Sequence, residues 1–197
     1  HYDHLDLFSL RQLAERFPQA QVVTGLGNAG LIGECGFPDV IELDWWQSLP
    51  LNEQLSLHAV PVQHWSARAR HDTNRSLWLG FVLDSAEGPV LFPGDSGLGP
   101  EFKLINQRFG PLRFAALPIG AYAPRWFMKD SHVNPSEALQ VQKDVKAKAA
   151  IGIHWGTFDG MSDEPLDQAP KDLELAKKLS SSPVNFFVLK HGQSWRR

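Results

Sequence analysis

His1-Tyr2-Asp3-His4 opens the chain, and the reading of these four residues decides the rest. Two imidazoles and a carboxylate sit just before an amphipathic run. Nitrogen and oxygen donors that close together converge readily on one or two metal ions. Three later positions share the setting. His64 follows Pro61-Val62-Gln63 at the end of an apolar run. Asp95 lies in Phe92-Pro93-Gly94-Asp95-Ser96-Gly97, where flanking glycines let the backbone turn sharply and present the carboxylate at a strand tip. His154 ends the run Ile151-Gly152-Ile153. Each of these alone has a commoner use, since His before Trp usually packs as an aromatic pair and Gly-Asp-Ser-Gly is usually a turn. The ordered series, each member closing a strand, supplies the donors that a two-metal site requires.

Outward from these positions the pattern is mixed α and β, without repeats. Residues 5–17 carry Leu7, Leu10, Leu13, Ala14 and Phe17 at helical spacing and stop before Pro18. Residues 21–24 read as a short strand, and the glycine-rich stretch 25–36 as holding a second short helix. Strand-like runs follow at residues 40–45, 55–62, 76–83 and 89–92, separated by Pro, Gly and Asp or Asn turns. Residues 114–119 form another apolar run. Asn134-Pro135-Ser136-Glu137 then supplies an N-cap, a proline at the first helical position and an early acid, predicting a helix to about residue 148. Residues 150–154 and 184–189 read as strands and 172–179 as a helix. Strands first, then strand–helix alternation, predict an α+β or layered domain, and no shift in composition divides residues 1–197.

Composition removes several classes. Hydrophobic residues make up 43% of the 197 positions, enough for a core. Lys+Arg 19 against Asp+Glu 22 leaves a net charge of −3, which argues against a nucleic-acid partner bound through a basic face. No apolar run approaches the roughly 18–20 residues that cross a bilayer. A single cysteine, Cys35, rules out an internal disulfide and reads as a buried small residue.

With these residues in view, the sequence resembles the metallo-β-lactamase-fold hydrolases, whose pattern is His-x-His-x-Asp-His followed by separate His, Asp and His ligands. More narrowly, it is similar to the N-acylphosphatidylethanolamine-hydrolysing phospholipase D group and its bacterial relatives. The narrower likeness rests on His1-Tyr2-Asp3-His4-Leu5-Asp6, Val40-Ile41-Glu42-Leu43-Asp44-Trp45-Trp46 and Gln63-His64-Trp65. It continues in Gly120-Ala121-Tyr122-Ala123-Pro124-Arg125-Trp126-Phe127-Met128, in Ile153-His154-Trp155-Gly156-Thr157-Phe158 and in Phe186-Phe187-Val188-Leu189-Lys190-His191-Gly192. The resemblance implies an αββα sandwich of which residues 1–197 hold the C-terminal two-thirds. Its N-terminal strands are then expected on a second chain.

The resemblance also implies a two-zinc site. His1 and His64 would hold one ion, with a histidine expected two positions before His1. Asp3, His4 and His154 would hold the other, and Asp95 would bridge them. The ligand types alone do not separate zinc from iron or manganese. Two ions about 3.5–4 Å apart hold a hydroxide suited to in-line attack on a phosphodiester. Asp3 and Asp95 then act as ligands, and His132 matches a position beside the substrate, with a plain loop histidine as the other reading. The expected partner is a phospholipid or small phosphodiester, cleaved to phosphatidic acid and an N-acylethanolamine. Hydrolysis of a lactone, an amide or a smaller phosphodiester stays open, as does a metal-binding sensor without turnover. Arg125 suits a phosphate contact or, more commonly, a structural ion pair. Tyr122 and Trp126 belong to the same pocket-lining segment. Trp45, Trp46, Trp65, Trp78, Trp126 and Trp155, six of seven tryptophans, read as core or site wall, and an interfacial role for them is the sharper alternative. The location expected is cytoplasmic, or peripheral at a membrane.

Overall fold

A computed structural model describes residues 1–195. The opening motif runs into α1 (Leu7–Arg16), which starts where Asp6 accepts a hydrogen bond from the Ser9 amide at 2.8 Å and ends at Phe17. β1 (Gln21–Gly25), α2 (Ala29–Gly33) and β2 (Asp39–Leu43) then form a parallel pair with a helix between the strands. Ala14, Ile32, Cys35 and Phe37 are buried together beneath this small sheet, so the helices α1 and α2 share its core.

Seven strands make the large sheet, and they lie side by side in chain order. β3 (Ser48–Asn52), β4 (Leu55–Val60), β5 (Gly80–Ser85) and β6 (Val90–Phe92) are antiparallel. After β6 come α3 (Glu101–Phe109) and β7 (Phe114–Pro118), then α4 (Arg125–Met128), α5 (Pro135–Asp144) and β8 (Ala150–Ile153), and last α6 (Gln168–Leu179) and β9 (Phe186–Phe187). From β6 to β9 the pairing is parallel, which helical crossovers make sterically feasible. Leu91, Leu117 and Phe186 from the strands pack with Phe102, Ile105, Leu139 and Leu173 from the crossover helices. Each such side chain contributes about 1.5–3 kcal/mol on full burial. The small sheet with α1 and α2 and the large sheet with α3, α5 and α6 are the two halves of an αββα sandwich.

The strand directions gather the predicted ligands. β4 and β6 are each antiparallel to β5, and β6, β7 and β8 are mutually parallel. Their C-terminal ends therefore lie along one edge of the sheet, and His64, Asp95 and His154 follow those ends.

Three boundaries differ from the sequence reading by four residues, and others by one or two. The helix after Asn134 has the expected cap, with Glu137 N on Asn134 Oδ1 at 2.8 Å and the Glu137 carboxylate returning to Asn134 N at 3.0 Å. It stops at Asp144, short of residue 148, because Lys146 turns left-handed at φ 49°. The strand read from residue 76 begins at Gly80, since residues before it reach to the small sheet, Leu77 N bonding Leu26 O at 2.8 Å. α6 begins at Gln168, four residues before the expected start at 172, and holds Pro170 in its first turn, where a missing N–H costs nothing.

Candidate metal centre

Asp95 is the centre of the site. Gly94, at φ 67°, makes the turn after β6, and the Asp95 side chain is almost wholly buried behind it. His4 Nε2 lies 2.9 Å from Asp95 Oδ2, and His154 Nε2 lies 3.1 Å from Oδ1. Ligand atoms of His4, Asp95 and His154 all fall within 4.8 Å of one another, the one such trio of His, Cys, Asp and Glu among the described residues. Asp3 stands at its margin, half-exposed, with Oδ2 3.7 Å from His4 Nε2.

His154 is aimed by strain. It follows β8 at φ 58°, a conformation uncommon for a residue with a side chain and frequent at functional positions. Gly120 makes room for it, since a Cβ there would stand 2.2 Å from the His154 carbonyl oxygen.

The remaining predicted residues extend the trio into a row of rings. His4 stacks on His154 at 5.2 Å between centroids, and His154 on His132 at 5.8 Å. His132 meets His64 edge-on at 5.4 Å, and His64 meets His1 at 5.7 Å. Trp65 closes over His1 at 4.4 Å. All seven residues singled out from sequence thus come together, with His1 and His64 outside the tight trio.

Electrostatics differ along the row. The Asp95 contact raises His4 above its ordinary value, against the burial that lowers it. Burial works to raise the Asp95 carboxyl, but the His4 hydrogen bond and the neighbouring imidazoles outweigh it and hold the group down at about 2. Desolvation lowers His64 to about 4 and also lowers His132. Five buried side-chain atoms in this one cluster, His1 Nε2, His64 Nδ1, Asp95 Oδ1, His132 Nδ1 and His154 Nδ1, have no hydrogen-bond partner. Buried orphans are rare in folded proteins. Their concentration around one carboxylate fits a divalent ion with nitrogen and oxygen ligands.

Two residues that the sequence did not single out hold the site together. Ser96 is fully buried, and its hydroxyl accepts from Gln63 N at 3.1 Å and donates to Gly97 O at 2.7 Å. Its carbonyl accepts from Val133 N at 2.8 Å, so one serine joins the segments of His64, Asp95 and His132. Gln63 adds a bond from Nε2 to Asp130 O at 2.8 Å. A polar residue on either side of a motif residue is the only sequence signal for such a role, and it is weak.

Arg125 takes the structural use. It pairs with Glu137 at 2.8 Å and donates to the His132 carbonyl at 2.8 Å, fixing the loop that carries His132. Tyr122 is buried and donates to Asp172 at 2.6 Å, so it belongs to the core. Trp126 serves neither core nor site wall: it is 86% exposed. A cleft beside the trio is walled by Trp155, Phe158, Met161, Glu164 and Leu166 and opens onto Asp3, His4 and His154.

An αββα sandwich with histidines and a carboxylate on co-aligned strand ends defines a metal-dependent hydrolase fold. Residues 1–155 match the family described as Beta-lactamase superfamily domain, and the chain belongs to that family. It is 37% identical over 209 residues to N-acyl-phosphatidylethanolamine-hydrolyzing phospholipase D 1 of Caenorhabditis elegans, an alignment covering 99% of this chain and 58% of that protein. To the mitochondrial N-acyl-phosphatidylethanolamine-hydrolyzing phospholipase D of Saccharomyces cerevisiae it is 40% identical over 164 residues, 80% of this chain and 35% of that one. The chain therefore spans well under two-thirds of either relative. Among solved structures, the metallo hydrolase Igni18 from Ignicoccus hospitalis superposes with a TM-score of 0.71 at 19% identity, over 98% of this chain and 74% of that one. At that identity the likeness is one of fold. No helix among the described residues is long and apolar enough to cross a membrane.

Proposed function

We propose that this chain carries the metal site of a zinc-dependent phosphodiesterase acting on N-acylphosphatidylethanolamine or a closely related phosphodiester. The observation that carries the reading is Asp95 set between His4 and His154 at 2.9 and 3.1 Å. The names of the two curated relatives support the substrate class. Asp3, His4, Asp95 and His154 would hold one ion, and Asp95 with His1 and His64 a second. Such ions supply Lewis acidity and lower the pKa of water towards neutrality.

The chain's own residues do the rest. Asp95 stays ionised at neutral pH because the surrounding imidazoles hold its carboxyl down. His132, lowered by burial, is a neutral imidazole there and can donate one hydrogen bond to a phosphoryl oxygen. Arg125 fixes its orientation through the His132 carbonyl. Trp155, Phe158 and Leu166 line the cleft with apolar surface. Hydrolysis of the phospholipase D type breaks the bond from phosphorus to the ethanolamine oxygen. Water's oxygen goes to phosphorus and its proton to the released alcohol.

The test is incubation of the zinc-loaded protein with N-acylphosphatidylethanolamine, with products followed by mass. Equal amounts of phosphatidic acid and N-acylethanolamine are expected, and Asp95→Asn, which removes a ligand, lowers the rate by more than the ~10–100-fold typical of losing an outer partner. Cleavage of a lactone or amide while the phospholipid stays intact would overturn the substrate. Wild-type activity in Asp95→Asn would overturn the site.

A further inference from the structure

Residues 154–167 join β8 to α6 without helix or strand. Connections in a compact domain usually run to about 4–6 residues, and much longer ones are commonly lids or binding loops. None of these residues is buried, and of them only Trp155 packs against the large core. Hydrogen bonds are as sparse. Among the described residues, 155–162 make none to the rest of the protein.

The segment is held by a latch near its C-terminal end. The Glu164 carboxylate accepts from Tyr122 N at 3.1 Å with one oxygen and from Ala123 N at 3.0 Å with the other. Asp163 N donates to Ala123 O at 3.1 Å beside them. Hydrogen bonds to a charged acceptor are roughly twice as strong as neutral ones, so the carboxylate carries most of the hold. Towards the other end, Gly156 and Gly160 sit at φ 73° and 76°. A Cβ on Gly160 would meet nothing within 4 Å, so the backbone angle alone calls for glycine there.

The same segment walls the cleft through Phe158, Met161, Glu164 and Leu166. That cleft encloses about 140 Å³, and an apolar cavity of about 150 Å³ holds a single benzene. The opposite side of the histidine row, by Trp65 and Trp78, has about 410 Å³. Room is therefore short on the side of this segment, where a long acyl chain does not fit. We infer that residues 156–166 are a hinged wall, and that release of Glu164 from the Tyr122 and Ala123 amides widens the cleft to seat an acyl chain of the substrate. Opening exchanges three hydrogen bonds for bonds to water. It uncovers little apolar surface, since Phe158 and Met161 are already 68% and 54% exposed. Such an opening lies far below global unfolding in cost. The need for room rests on the proposed substrate, whereas the latch and its release do not.

Amide hydrogen exchange in the zinc-loaded protein tests it. The N–H groups of Tyr122, Ala123 and Asp163 are expected to share one protection factor. It lies at least ~10-fold below those of Ala115 and Ile119, whose N–H groups bond Ala149 O and Ile153 O. Glu164→Gln, which keeps one carbonyl oxygen, lowers the shared factor a further ~10-fold and leaves Ala115 and Ile119 unchanged. N-hexadecanoylethanolamine, whose chain exceeds the cleft, also lowers it, and N-acetylethanolamine does not. Exchange of the three amides only at the rate of Ala115 and Ile119 would make the segment a fixed wall and overturn the inference. So would an unchanged factor in Glu164→Gln. In a protein that cleaves N-acylphosphatidylethanolamine, a factor that N-hexadecanoylethanolamine leaves alone or raises would do the same. Opening without cleavage of that phospholipid would count against the proposed substrate and leave the hinge standing.

Discussion

His154 and His64 both follow strands of the large sheet, yet they are held by different means. The β7–β8 ladder runs to Pro118 opposite Ile153, and Ile119 N adds a bond to Ile153 O at 3.0 Å, so backbone pairing reaches the residue before His154. His64 lies four residues beyond the last rung of β4, Val60 opposite Gly80. An isolated bridge between Gln63 and Gly97 and the Ser96 hydroxyl hold it instead. Within the tight trio, sheet register places His154, while Asp95 lies three residues beyond β6 and His4 in the turn before α1. His64, held by that bridge and that side-chain hydrogen bond, lies outside the trio together with His1. Register positions a residue through many cooperative bonds, whereas a side-chain tie depends on a single group.

The largest effect that separates the halves is loss of a ligand. His154→Ala is expected to strip metal from the trio and lower kcat/KM by more than the ~10–100-fold typical of losing an outer partner. His1→Ala is expected to retain one equivalent of metal after dialysis, with a loss nearer that range. Metal analysis and turnover on the same samples decide it. Equal losses in the two variants, or a greater one in His1→Ala, would break the distinction between a tight and a loose half.

A smaller effect is expected at the joint between them. Ser96→Ala leaves Gln63 N without its acceptor in a buried setting, at a cost of about 1–3 kcal/mol. For a chain of this size each kcal/mol lowers the thermal midpoint by about 2–4 °C. Because the lost bond lies on the His64 segment, the second equivalent of metal should weaken while the first stays. An unchanged midpoint would show that register, not Ser96, places His64.

Much of this arrangement was legible in the sequence, and the reasons are specific. The donors at positions 1, 3, 4, 64, 95 and 154 are chemically distinctive, and the last three each follow an apolar run, so the identity of all six and the strand-end setting of those three show without coordinates. α5 was legible because its cap is written in four consecutive residues, Asn134 to Glu137. β3 was not. It contains Pro50 and is exposed along most of its length, as an edge strand is free to be, and no β-branched residue marks it. α3 begins after Gly99-Pro100 with no side-chain cap bond, so its start carries no signal, and its burial of Phe102 and Ile105 depends on the sheet it covers. Trp126 misleads for a related reason. Hydrophobic character predicts burial on average, but only the fold shows that Trp126 stays exposed while Arg125 beside it is tied to the His132 carbonyl and Glu137.

The finest test of the comparison is the pH response of the metal-free protein. His64 sits at about 4 in the fold because burial disfavours its cation, against an ordinary value of 6.5. As pH falls from 6.5 towards 4, the unfolded chain therefore binds a proton that the folded chain resists, and stability drops. His4 has the opposite sign. Its Asp95 contact raises it, so its contribution is complete below 6.5 and is lost as pH rises through the folded value. Asp95, held at about 2, stays ionised through this window, while His132, also lowered by burial, adds to the acid limb with the same sign as His64. His64→Gln should flatten the acid limb of a urea-midpoint profile by at most about 1.4 kcal/mol per pH unit, and His4→Gln should flatten the limb above 6.5. NMR titration of the imidazole protons gives the same answer site by site, with His64 titrating well below His4. Coincident titration of the two rings would mean that one environment, not two, surrounds the row.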